Sequence, residues 1–204
     1  MFNLDTTPNL PARFNIAPSA DIPVVRLRGD GGRELVQLRW GLIPFWAKDK
    51  KIGYKTSNAR GETVAEKPAF REAFKKRRCL VVADGYYEWQ GETPKQPWWI
   101  RLKTGEPFGF AGLWETWKSP EGEMIETTTI ITTEPNAFTA QIHDRMPVIL
   151  APEDHDAWLA PDAPADRLKA LLRPYPAKEM AAHKVSKAVN NARTDMPSLI
   201  EALP

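Results

Sequence analysis

At 204 residues, 42% of them hydrophobic and 10% aromatic, the chain has the length of one domain and enough apolar material for a sizeable core. No run of 18 apolar residues occurs and the opening stretch lacks the basic start and apolar centre of a signal peptide, which argues against a membrane partner and for a soluble, cytoplasmic protein. A single cysteine excludes an internal disulfide, three histidines without ligand spacing give no metal or cofactor site, and the net charge of +2 hides an asymmetry.

Residues 39–78 hold 12 Lys and Arg against 4 Asp and Glu. That stretch suits either an anionic partner or a solvated basic surface. In chain order, IPVVRLR (22–28) and ELVQLRWGL (34–42) flank Gly29, Asp30, Gly31 and Gly32 and predict a hairpin. The Pro-containing segment GLIPFWAKDKK (41–51) and the polar stretch TSNARGET (56–63) read as loops. KPAFREAFKKRR (67–78) predicts a helix with Pro68 in its first turn, an apolar stripe of Ala69, Phe70, Ala73 and Phe74, and a basic end facing solvent.

CLVVA (79–83), YYEWQ (86–90), PWWIRL (97–102), FGFAGLWETW (108–117) and MIETTTIITT (124–133) are rich in β-branched and aromatic residues and separated by turn signals, so each predicts a strand. PEDHDAWLA (152–160) and APADRLKALL (163–172) predict two more helices. No repeat, low-complexity tract or linker divides the chain. The expectation is a single domain over 1–204 with an α+β fold: a mainly antiparallel, curved or barrel-like sheet with a few peripheral helices.

Three segments place polar residues where structure alone does not ask for them. Asn58 and Arg60 form either an ordinary turn or an amide that holds a neighbouring amine or carbonyl beside a guanidinium that clamps a phosphate. In YYEWQ, period 2 sends Tyr86, Glu88 and Gln90 to one face, where Glu88 is either a solvated carboxylate or, if partly buried, a proton shuttle. His143 and Arg145 stand just before the apolar run Val148 to Leu150, and imidazole is the side chain best matched to proton transfer near neutral pH. Trp46, followed by Lys48, Lys50 and Lys51, reads equally as a loop anchor or a base-stacking platform. His155 and His183 read as surface or packing residues, and Cys79 as a buried strand thiol of low reactivity.

Taken together, RFNIAP (13–18), RWGLIPFWA (39–47), NAR (58–60), CLVVADGYYEW (79–89), IHDRMPVIL (142–150) and VSKAVNNAR (185–193) resemble, in order, the SOS-response-associated peptidase (SRAP) family. The resemblance implies a protein that senses abasic sites in single-stranded DNA and forms a covalent thiazolidine crosslink through an N-terminal cysteine, with autoproteolytic processing of its N-terminus. It further implies that Asn58 holds the N-terminal amine, Glu88 shuttles protons and His143 assists ring opening. Arg60 and Arg145 would grip phosphates, Trp46 would stack or wedge beside the lesion, and Asn15 and Pro18 would line the cleft.

The beginning departs from the family pattern. Members open Met-Cys-Gly-Arg, whereas this chain opens Met1-Phe2-Asn3. The expectation is that the cysteine segment lies upstream of Met1; the alternative is a degenerate member that binds single-stranded DNA without crosslinking it. A thiol peptidase acting in trans is a third reading, and the one the residues support least.

Overall fold

The computed structural model describes residues 1–6 and 8–204. In chain order they form β1 (Asp21–Leu27), β2 (Arg33–Trp40), β3 (Asn58–Arg60), α1 (Arg71–Lys76), β4 (Arg78–Ala83), β5 (Tyr86–Gln90), β6 (Gln96–Leu102), β7 (Phe108–Lys118) and β8 (Met124–Thr133). β9 (Met146–Pro147), β10 (Ile149–Leu150), α2 (His155–Leu159), α3 (Ala165–Leu171) and β11 (Met180–Lys184) complete the chain, with short 3-10 turns between them.

The predicted hairpin is β1–β2, antiparallel from Asp21↔Arg39 to Leu27↔Arg33. β4 joins β1, β7 joins β4 and β8 joins β7, all antiparallel. A short parallel contact between β2 and β8, Arg39↔Thr127 and Trp40↔Thr128, then closes five strands into a barrel. Closure removes the open edges that a five-stranded sheet would otherwise expose. The α+β, barrel-like expectation holds.

Alternation along the barrel strands sends their apolar side chains into two clusters. On β1 and β4, Val24, Cys79 and Val81 belong to an interior cluster with Leu38, Phe110 and Ile130. Their neighbours Val25 and Leu80 belong to an outer cluster with Phe74, Trp158 and Leu168 of the three helices. Period 2 is the cause: successive side chains leave opposite faces of the strand. The Trp158 indole, fully buried, donates to the Cys79 carbonyl at 2.9 Å, and removing a packed aromatic of this size costs about 3–5 kcal/mol.

The helix predicted over 67–78 is shorter, and its basic end is not wholly solvated. Lys75 and Lys76 are exposed, but Arg78 begins β4 and is buried. Its guanidinium donates to the carbonyls of Phe74 and Lys75 at the end of α1 and of Trp158, Ala160 and Pro161 at the end of α2. Carbonyls at helix C-termini lack intrahelical donors, and one cation satisfies both sets.

β8 is longer than its barrel partners require, and its far end positions the site. Beyond β2, the same edge of β8 takes β3 in parallel register, Asn58↔Ile130 to Arg60↔Thr132. Beyond β7, the other edge takes β9, Thr132↔Pro147 and Thr133↔Met146. β10 pairs with β7, and Val148 bridges the gap, donating to the Ile131 carbonyl and accepting from the Ala111 amide. The segment Met146–Leu150 therefore fills the space where β7 and β8 part. β5, β6 and β11 form a separate antiparallel sheet, with β5 at its edge. Gly85, entering β5, lies where any Cβ would collide with the Trp99 ring, which explains glycine there.

Candidate functional site

The two ladders converge on a cavity of about 250 Å³ lined by Asn58, Arg60, Glu88, Thr132, His143, Arg145 and Met146. Asn58 and Arg60 reach it because NAR is a strand rather than the predicted loop. Pairing with β8 buries Ala59 to 1% exposure and turns the residues on either side of it outward together. That register decides their direction, and the three-residue segment is too short to show a period of its own.

Glu88 comes from the edge strand β5 and is largely buried, with 22% of its side chain exposed. Burial pushes its carboxyl up to about 6, an effect opposed by the nearby His143. His143 arrives on the loop after β8, shaped by Asn136. The Asn136 side-chain oxygen accepts from the Phe138 and Thr139 amides while its amide nitrogen donates to the Tyr175 carbonyl. The His143 amide then donates to the Thr139 carbonyl at 2.9 Å.

The His143 Nδ1 lies 3.8 Å from Glu88 Oε2 and 3.3 Å from Asp144 Oδ1. Nδ1 also lies 3.1 Å from the Arg145 amide and 3.2 Å from the Arg145 carbonyl, so it accepts from the first when the ring proton is on Nε2 and donates to the second when the proton is on Nδ1. An Nδ1–H therefore faces the Arg145 carbonyl with the two carboxylates beside it. A carboxyl near 6 beside an imidazole is a pair suited to accepting and returning protons close to neutral pH.

Two tethers hold the His143 loop. On the β5 side, Trp98 Nε1 donates to Gln90 Oε1 at 3.0 Å, which orients the Gln90 amide so that Nε2 donates to the Gln141 carbonyl at 2.6 Å. On the β3 side, Arg145 makes a bidentate pair with Glu62, 2.6 and 2.9 Å, and donates to the Thr132 carbonyl at 2.9 Å. Glu62 is held well below the usual carboxylate range chiefly by that hydrogen bond.

The fold thus brings together Asn58, Arg60, Glu88, His143 and Arg145, and places the other candidates elsewhere. Trp46 is 49% exposed, donates to the Pro68 carbonyl and does not line the cavity. Asn15 is buried, with its amide spent on the carbonyls of Val189, Asn191 and Thr194, so it fastens the C-terminal segment instead of facing a cleft. Pro18 is exposed in a turn outside the cavity lining. Phe2 stacks on the buried His155 and gives its carbonyl to Arg33, away from these residues. Cys79 is fully buried, and burial pushes its thiol up to about 12, which keeps it un-ionised.

Sequence reasoning missed Thr132, Met146 and Glu62. Thr132 and Met146 sat inside segments already read as strand and strand approach, and Glu62 lacks any local pattern that points to Arg145. Gln90 was placed on the Glu88 face by alternation, but its partner Gln141 was not foreseen.

Comparison with known proteins adds an independent line. The family model for "SOS response associated peptidase (SRAP)" matches residues 2–192. The abasic site processing protein YoqW of Bacillus subtilis is 50% identical over 192 residues, covering 93% of this chain and 85% of that protein. The abasic site processing protein HMCES of Rattus norvegicus is 31% identical, covering 92% of this chain and 64% of that protein. A crystal structure of a Bacteroides thetaiotaomicron protein superposes with a TM-score of 0.81 at 32% identity, covering 91% of this chain and 82% of its own.

Proposed function

This chain belongs to the SOS response associated peptidase family, and from that premise we propose that it processes abasic sites in single-stranded DNA. The observation that carries the reading is the convergence of Asn58, Arg60, Glu88, His143 and Arg145 on one cavity from three separate stretches of chain. Relatives with high identity over most of their length are named for abasic site processing.

The chemistry fits the residues. An abasic sugar opens to an aldehyde, and an amine attacks its carbon to give a carbinolamine that loses water to form a Schiff base. His143 and Glu88, 3.8 Å apart, would protonate the departing hydroxyl and take the proton from the amine. Asn58 would hold the amine through its side-chain oxygen. In a form that carries the family's N-terminal cysteine, the amine and thiol would be those of that residue, whose S–H adds across the imine, sulfur to carbon and proton to nitrogen, and closes a thiazolidine. Arg60, exposed on β3, and Arg145 would meet the phosphates on either side of the lesion. Trp46, with Phe45 beside it and both about half exposed, would stack on bases outside the cavity.

The test is a binding titration of this chain with single-stranded oligonucleotides, intact or carrying one abasic site, and a denaturing gel for a form extended to include the N-terminal cysteine. Tighter binding to the abasic strand and a shifted band that needs both the cysteine and the lesion are expected. Equal affinity for intact and abasic strands, with no shifted band, would leave a non-covalent single-strand binding module as the better description.

A further inference from the structure

The Arg145–Glu62 pair sets a question the proposed function leaves open, because a carboxylate beside a phosphate site is electrostatically unfavourable on its face. We propose that Glu62 is a positioning residue for nucleic-acid binding: it grips one edge of the Arg145 guanidinium and holds it in the wall of the cavity, oriented toward a DNA phosphate. The inference rests on the reading of this cavity as a DNA site.

The geometry is that of a bracket. Glu62 takes one N–H from each terminal nitrogen of Arg145, at 2.6 and 2.9 Å. The second terminal nitrogen also donates to the Thr132 carbonyl at 2.9 Å and approaches the Thr132 hydroxyl at 3.3 Å. That same carbonyl accepts from the Gly61 amide at 2.8 Å. The residue before Glu62 is therefore pinned to the strand that pins the arginine, which fixes the stretch of main chain from which the carboxylate reaches Arg145.

The bracket leaves donors free. Among the described residues, Nε of Arg145 is buried without a partner and the second N–H of Nη1 has none either. A free arginine on a cavity wall would lose rotamer freedom on meeting a phosphate; one already fixed by a planar two-point contact loses less per hydrogen bond formed. The cost in charge is moderated in two ways. The Glu62 side chain is 53% exposed, so solvent screens it, and Arg60 lies close enough to contribute to holding Glu62 ionised. The group Arg60–Glu62–Arg145 keeps a net positive charge.

Charge alone and positioning predict opposite signs. Removing a carboxylate from an anion site should tighten binding if charge decides, and loosen it if orientation decides. The experiment is fluorescence anisotropy of this chain with a single-stranded oligonucleotide carrying a tetrahydrofuran abasic analogue, across a salt series, for wild type, E62A, E62D, E62Q, R145A and E62A/R145A. R145A is expected to weaken binding and flatten the salt dependence by about 0.7 in slope. E62A and E62D are expected to weaken it about 5-fold and to flatten the slope toward that of R145A. E62Q, which retains one acceptor, is expected to recover most of the affinity.

In the R145A background, E62A should change nothing. Thermal midpoints of the same variants separate the proposal from a purely structural role, which would lower the midpoint and leave the salt slope alone. Binding by E62A and E62D as tight as or tighter than wild type, with R145A weakened, overturns the positioning role while sparing the DNA reading. Wild type that shows no salt-dependent binding overturns both.

Discussion

Glu126 and Thr132 stand near opposite ends of β8 on the same face of the strand, and each helps to hold an arginine. At the Glu126 end, Arg26 of β1 donates Nε to Glu34 at 2.8 Å and both terminal nitrogens to Glu126 at 2.7 and 3.2 Å, with its guanidinium 4.3 Å above the Trp114 ring. At the Thr132 end, Arg145 has one carboxylate and an Nε without a partner among the described residues, and next to it Glu88 and His143 face each other at 3.8 Å without a hydrogen bond. The first cluster sets the arginine of β1 between carboxylates of β2 and β8, with Nε and both terminal nitrogens engaged. The second leaves polar groups in want of partners around a cavity. Buried polar groups are normally satisfied, so a place where several are not is where a ligand can add the missing bonds.

The largest effect that would sharpen this contrast is at the closed end. R26A leaves Glu34 and Glu126 without their cation and should cost about 3 kcal/mol of stability, read from urea unfolding. Its affinity for abasic single-stranded DNA should match wild type; a loss there as large as that of R145A would mean that the two ends are not separate in function.

At the open end, Glu88 gives a smaller effect of opposite sign. Its folded value of about 6 lies above the ordinary 4.5, so the fold favours the protonated form. The stability from that group is full below about pH 4.5 and lost as the pH rises through 6. E88Q should therefore stabilise the protein by about 1–2 kcal/mol at pH 7.5 and leave it unchanged at pH 4. Thermal melts at the two pH values check this, and a destabilising E88Q at pH 7.5 would show that the carboxylate is better satisfied than its burial implies.

The smallest effect concerns the tether on the other side of His143. Q90A removes the hydrogen bond to the Gln141 carbonyl, worth about 1 kcal/mol. Its signature should be local: faster amide exchange over residues 139–145 with a nearly unchanged global midpoint. W98F, which keeps the ring and loses the N–H that orients Gln90, should lie between Q90A and wild type. Uniformly faster exchange throughout the barrel would break the distinction between a loosely tied site and a closed core.

Much of the fold was legible because it is written in period 2. The runs CLVVA, YYEWQ and MIETTTIITT correspond to β4, β5 and β8 nearly residue for residue, since side-chain alternation and β-branched content are local properties. The face of Glu88 followed from the same rule. Asn58, Glu88 and His143 were ambiguous as single residues, and what raised them was a pattern of motifs in register along the chain.

Other features depended on partners far away in sequence. NAR reads as a polar loop because three residues carry no periodicity, and it became a strand only because β8 extends past β2 and offers an unfilled edge. Arg78 reads as the solvated end of a helix, yet two sets of unpaired helix-end carbonyls draw it inward. Asn15 reads as a cleft residue, but three C-terminal carbonyls take its amide.

The amino-acid sequence by itself thus determined the strands, the polar candidates and the family pattern, because local alternation, turn chemistry and ordered motifs need no knowledge of contacts. Tertiary structure alone decided which edges meet, which arginine is plugged and which is poised, and that Glu62 holds Arg145. The reason is physical: a hydrogen bond or ion pair between residues 83 positions apart depends on barrel closure and strand register, which no short window of sequence encodes.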